Sequence, residues 1–195
     1  MSTPGDPGAD RPTRGWTLSL RRSLACGAMV TLCSGCTSGQ PTSQILRSEL
    51  LVRSLVDAVQ SADTALIIDL FRPDASYDDF ANQVTYEGLQ EIVGYLTSVH
   101  SWGDDVYMNI GRVQAGPSGA TAEWVFSAVQ ARPMGDLAPE ATGREVVLSG
   151  ATVIEIDGDR IVRAADYMDT TPMLLQLGAR IELPGGRVLT QEDSP

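Results

Sequence analysis

The stretch Val146–Met168, VVLSGATVIEIDGDRIVRAADYM, decides the fold. Apolar and β-branched residues flank Asp157-Gly158-Asp159, a hairpin turn signal, so two antiparallel strands are predicted, the first over Val146–Ile156. Alternation places Val162, Ala164, Asp166 and Met168 on one face of the second strand, and Ile161, Arg163, Ala165 and Tyr167 on the other. One carboxylate, Asp166, thus lies on an apolar stripe. Its burial costs free energy unless it is hydrogen-bonded, protonated or in contact with pocket water. Just beyond, Thr170-Thr171-Pro172 and Gly178 bracket a short helix, with a Thr cap and proline in the first turn.

Upstream, Val106, Met108 and Ile110 alternate, Gly116-Pro117-Ser118-Gly119 is a turn, and Ala122–Val129 reads as a strand. Pro133–Gly143 reads as an excursion between strands. Before these, the spacing becomes helical. Leu46, Leu50, Val52, Leu55, Val56 and Val59 form the apolar face of a first helix, with Ser43 as a possible cap. Asp63 caps a second short helix stopped by Pro73, and Asp74–Phe80 is a turn leading into an extended piece. Tyr86-Glu87-Gly88 introduces a third helix, with Leu89, Ile92, Val93, Leu96 and Val99 on its buried face. Helices followed by consecutive hairpin strands indicate an α+β fold with an antiparallel sheet.

The first 36 residues have a different character. Arg21 and Arg22 precede the apolar run Leu24–Leu32, which is too short to span a bilayer and ends in Ser34-Gly35-Cys36. This resembles a bacterial lipoprotein signal, with Cys36 as the lipidated residue carrying palmitate-like acyl chains, although Cys33 stands where such signals prefer Leu. Leu20–Leu24 loosely fits a twin-arginine export signal. An ordinary secretory signal or an uncleaved anchor are the alternatives. The expected organisation is a signal over 1–36, a flexible linker over 37–43, a domain over 44–180 and a tail over 181–195. The expected location is the outer face of the cell membrane, reached through the lipid anchor.

All three cysteines, Cys26, Cys33 and Cys36, fall in the leader, which leaves the domain no thiol for a disulfide or a catalytic cysteine. The formal net charge is −11 and the chain has no lysine, so nucleic acid is not an expected partner and Schiff-base chemistry is excluded. His100, the single histidine, sits at a helix end, where contact with a helix C-terminus fits it better than a catalytic relay. With one histidine and scattered carboxylates there is no metal-ligand set, no phosphate loop is present, and no cofactor is expected.

The element order and several strings, Tyr86-Glu87-Gly88, Glu123-Trp124-Val125-Phe126, Gly158–Val162, Asp166–Asp169 and Leu174–Gly178, resemble the nuclear transport factor 2-like superfamily. The resemblance is closest to its SnoaL-like polyketide cyclase branch and covers Glu49–Gly178. It implies a cone-shaped, curved antiparallel sheet of cystatin-like type packed on three N-terminal helices, with an apolar cavity between, and a homodimer formed through the outer sheet face. It further implies that Asp166 is a general base, removing a proton next to a carbonyl, with Tyr77 and Asp79 as accompanying site residues. Structural hydrogen bonding and passive ligand contact are the other roles open to Asp166. In the limonene epoxide hydrolases of the same superfamily, Asn stands at the place of Asp79, and an Arg and a second Asp at the places of Trp124 and Phe126; that mechanism is therefore not expected here.

Trp124, Phe126, Leu148, Met168 and Met173 are expected to line the cavity with aromatic and soft apolar surface, which suits a small hydrophobic molecule. Each taken alone also fits an ordinary core. The expected function is an envelope lipoprotein that binds such a ligand, non-catalytic or of unknown activity. The alternative is an Asp-dependent cyclase, isomerase or dehydratase acting on a hydrophobic ketone.

Overall fold

The computed structural model describes residues 40–193, so the export signal, Cys36 and the first part of the linker lie outside the described residues. Helix α1 (Gln40–Ser61) starts ahead of Ser43, which lies inside the helix instead of capping it. Its buried face is Ser48, Leu51, Val52, Leu55, Val56 and Ala58, whereas Leu46 and Leu50, expected inward, are exposed. Ser48 can be buried because its hydroxyl donates to the Gly116 carbonyl at 2.7 Å, and a satisfied polar group removes the objection to its place in the stripe. In α2 (Thr64–Leu70) the Asp63 carboxylate accepts from the Leu66 N–H at 3.0 Å, the cap expected from the sequence.

Pro73 does not end α2. The chain turns straight into β1 (Phe71–Asp79), and Pro73 lies where its register shifts, a place that tolerates a missing N–H. The turn expected at Asp74–Phe80 is therefore largely strand. Strand β2 (Val84–Glu87) follows, then α3 (Gly88–Thr97), with Ile92 and Leu96 buried, and α4 (Val99–Trp102). His100 on α4 lies 2.9 Å from the Val59 carbonyl in the last turn of α1.

Strands β3 (Gly103–Gly116), β4 (Gly119–Gln130), β5 (Glu145–Asp157) and β6 (Arg160–Met168) form a meander, and the six-stranded sheet runs β2-β1-β6-β5-β4-β3. It is antiparallel apart from one pair. β1 runs parallel to β6, since the chain returns to it only after the whole meander. Register shifts in β3, β1 and the β5/β6 pair bend the sheet around the helices. On β6, Ile161 pairs with Ile156 and Arg163 with Glu155, so Val162 is the bulged residue. Ile161 consequently joins Ala164 in the core, not the opposite face that simple alternation gives it.

β4 keeps strict alternation, with Ala120, Ala122, Trp124, Phe126, Ala128 and Gln130 all buried. Ala120 and Ala122 pack in the cluster that holds Leu51, Val52 and Leu55, whereas Trp124 and Phe126 belong to a second cluster with Val56 and Leu148. Small residues let α1 approach one end of the sheet; large ones stand at the other. After β6, α5 (Thr171–Gln176) is fastened by its Gln176 side chain, which accepts from the Val147 N–H at 2.7 Å and donates to the Val147 carbonyl at 3.1 Å. The tail folds into a hairpin of β7 (Ile181–Glu182) and β8 (Val188–Leu189).

Candidate functional site

With the β6 bulge setting its parity, Asp166 points inward among helices and sheet and is only 9 % exposed. Trp124 Nε1 donates to Thr152 Oγ1 at 2.8 Å, and Thr152 Oγ1 donates to Asp166 Oδ1 at 2.5 Å. An indole N–H can only donate, so the Thr152 oxygen accepts there and its one proton is directed to Asp166. Oδ1 is thereby fixed as an acceptor. Oδ2 receives the longer bond, 3.2 Å, from the Tyr95 hydroxyl on α3. A proton taken up by Asp166 goes to Oδ2, the oxygen held less tightly.

Burial pushes the Asp166 carboxyl up from 3.8 to about 6, with the Asp79 charge adding to the rise, while hydrogen bonds from Thr152, Tyr77 and Tyr95 pull it back. Burial and the Asp166 charge likewise raise the Tyr77 and Tyr95 hydroxyls, so both remain protonated donors near neutral pH. Tyr77 is 1 % exposed and packs against Tyr95 at 5.2 Å between ring centroids. Asp79, also 1 % exposed, accepts from Asn82 through both oxygens, from the side-chain amide at 2.7 Å and the backbone N–H at 3.2 Å.

These groups face a cavity of about 220 Å³. All eight residues singled out inside the domain line it: Asp166, Tyr77 and Asp79 at the polar end, with Trp124, Phe126, Leu148, Met168 and Met173 on its walls. Thr152, Tyr95, Trp102, Met108 and Met134 line it as well and were not foreseen. Thr152 sits opposite Asp166 across the β5/β6 hairpin, but counting back from the turn misses the pair by one residue unless the bulge is known. Met134 enters from the Pro133–Gly143 excursion, which buried Gln130 holds by donating to the Arg132 and Glu140 carbonyls and accepting from Thr142. Among the described residues, none after Met173 lines the cavity. Among the described residues, no group of three or more His, Cys, Asp or Glu side chains is gathered as a metal site needs.

Gly150 makes room for the Trp124 ring. It is the cross-strand partner of Trp124, and a Cβ there would stand 2.5 Å from the ring and 2.8 Å from the Tyr167 carbonyl. Gly150→Ala is expected to displace the indole from Thr152 and to cost about 1–3 kcal/mol, as overpacking does. A lowered urea midpoint together with a shifted tryptophan emission is the result to look for.

Several solved structures share the fold. A putative SnoaL-like polyketide cyclase from Jannaschia sp. CCS1 aligns with a TM-score of 0.62 at 13% identity, covering 74% of this chain and 97% of that one. A protein of ketosteroid isomerase-like fold from Catenulispora acidiphila, solved with trimethylamine, aligns at 0.53 and 20% identity, covering 64% and 88%. A limonene epoxide hydrolase-like enzyme from M. tuberculosis aligns at 0.53 and 18% identity, covering 70% and 90%. A search of curated proteins gave no match. At these identities the likeness is one of fold. The sequence profile of the SnoaL-like domain, however, matches residues 52–164, more than half the chain, and on that ground this protein belongs to the SnoaL-like domain family.

Proposed function

We propose that this chain is an envelope lipoprotein, anchored through Cys36 on the outer side of the membrane, whose SnoaL-like domain holds a small, largely apolar ligand against Asp166. The observation that carries this reading is the cavity of about 220 Å³, walled by aromatic and thioether side chains and closed at one end by a buried carboxylate. Every methionine after the leader, Met108, Met134, Met168 and Met173, lines it, and such flexible polarizable walls adapt to a ligand's shape. Native mass spectrometry of the full chain released from bacterial membranes tests the reading. A retained apolar molecule supports it, and repeated recovery of empty protein from a lipid-matched host contradicts it. Labelling with palmitate that disappears in Cys36→Ser supports the anchor; unchanged labelling or none refutes it.

A catalytic version of the same site is favoured by one further feature, the carboxyl raised to about 6, a stronger base than an exposed aspartate. In that version Asp166 Oδ2 takes a proton from carbon beside a ligand carbonyl. The C–H electron pair becomes the enolate, which closes a ring, isomerises or expels a leaving group. Tyr77 orients the carbonyl by hydrogen bonding. Turnover that survives Asp166→Asn rules this version out. A homodimer is part of the proposal too, because Tyr107, Val125, Val147 and Tyr167 share the outward face of the sheet and are 40–55% exposed. A monomer by light scattering would remove it.

A further inference from the structure

The inner face of the sheet carries two carboxylates side by side. Asp79 on β1 and Asp166 on β6 are direct partners in the parallel pair, and both line the cavity. Neighbouring strands lie about 4.8 Å apart, and like charges placed opposite one another destabilise a sheet. Among the described residues, neither has a cationic partner. Asp79 is held by Asn82, and Asp166 by Thr152 and Tyr95, all neutral donors. Among the described residues, no arginine or histidine lines the cavity.

The contrast with the outer face of the same strands is direct. There Asp78, one residue from Asp79, meets Arg163 at 2.6 Å, and Arg163 also binds Glu155 at 3.0 Å. Elsewhere Arg72 bridges Asp74 and Asp157, and Arg132 meets Asp104. Among the described residues, arginines thus partner carboxylates at or near the surface and none stands beside the two buried ones. Buried charge is stable when it is paired, so the cavity is short of positive charge. Its walls can supply the rest of a cation site: Tyr77, Tyr95, Trp102, Trp124 and Phe126 offer the electron-rich ring faces that attract a substituted ammonium.

We infer that the ligand of this cavity is a hydrophobic organic cation, an amine or quaternary ammonium whose charge sits between Asp79 and Asp166 and whose apolar body lies among the aromatic and methionine walls. The inference rests on the ligand-binding reading above and specifies the ligand's chemical class. A bound cation completes the carboxylate pair as an arginine completes the outer one. It also explains how a strongly acidic domain keeps two adjacent buried carboxylates without an internal counter-ion.

The test is a matched pair of probes, phenyltrimethylammonium and its uncharged carbon isostere tert-butylbenzene. They are titrated into the full chain carrying Cys36→Ser, and quenching of Trp102 and Trp124, both cavity residues, is followed. At pH 8 the ammonium should bind at least about tenfold tighter than the isostere, and the gap should narrow at pH 5. The groups facing Asp166 are Tyr77 and Asp79 from β1, Tyr95 from α3, Trp124 from β4 and Thr152 from β5, and the tyrosines stay neutral over this range. Asp79→Asn and Asp166→Asn should each reduce the gap, and Asp166→Asn should flatten its pH dependence. Equal or tighter binding of tert-butylbenzene at pH 8 overturns the cation while leaving an apolar ligand site in place. Binding of neither probe overturns both readings.

Discussion

Asp166→Asn stabilises the domain at pH 8 while weakening whatever the cavity does. In the folded chain the carboxyl titrates at about 6, against 3.8 when free, so the native state holds its proton more tightly than the unfolded one. The stability this confers is complete below pH 4 and is lost as pH rises through 6. The loss is about 3 kcal/mol. Asparagine keeps an oxygen to accept from Thr152 and carries no charge to bury, so it escapes that loss. For a domain of this length the difference corresponds to a Tm higher by about 6–12 °C at pH 8 and unchanged near pH 4. Thermal melts of both proteins across this range give the measurement. A difference that does not vary with pH would mean that Asp166 ionises as a surface carboxylate does. A group that lowers stability at working pH is the kind retained for function.

Thr152→Val is expected to act in the opposite direction and about as strongly. Valine matches the shape of threonine but neither accepts from Trp124 nor donates to Asp166. A buried indole N–H loses its acceptor, and a buried carboxylate loses the strongest of the hydrogen bonds that lower its pKa. Together these should cost about 3 kcal/mol at neutral pH. The loss should be larger at pH 8 than at pH 5, because Asp166 then titrates above 6. A merely structural threonine would give a loss independent of pH. Urea unfolding at the two pH values distinguishes them. In the Asp166→Asn background the pH-dependent part should vanish, since no charge remains for Thr152 to support.

What the sequence shows of this architecture is what local chemistry determines. Asp63 caps α2, Asp157-Gly158 turns the β5/β6 hairpin, and β4 alternates without error, because each depends on residues close together in the chain. The errors arise where a distant contact decides. Leu46 and Leu50 repeat at helical spacing as well as Leu51 and Leu55 do, and only the seat of Ser48 on Gly116 shows which stripe faces the sheet. Pro73 and the acidic residues after it read as a turn, yet pairing with β6 draws them into a strand.

The candidate site shows the same division. Asp166 stands out because a single charge interrupts an apolar stripe, and Tyr77, Asp79 and the wall residues follow from likeness to a fold whose cavity is built the same way. Thr152 and Tyr95, the two groups that hold the carboxylate, were hidden. One is masked by the bulge at Val162, and the other comes from a helix 71 residues away in sequence. The Asp79–Asp166 pairing was hidden as well, since a parallel pair between the first and last strands of the main sheet leaves no periodic mark.

A carboxylate that ionises inside a ligand-sized cavity is the centre of this site, and a ¹³C NMR titration of the aspartate carboxyls, with Asp166 assigned by its absence in Asp166→Asn, measures that ionisation directly. A midpoint near 6 for Asp166 is the predicted result, followed by a downward move when phenyltrimethylammonium binds. A midpoint near 4 that ignores the ammonium would contradict both the buried carboxylate and the site built around it.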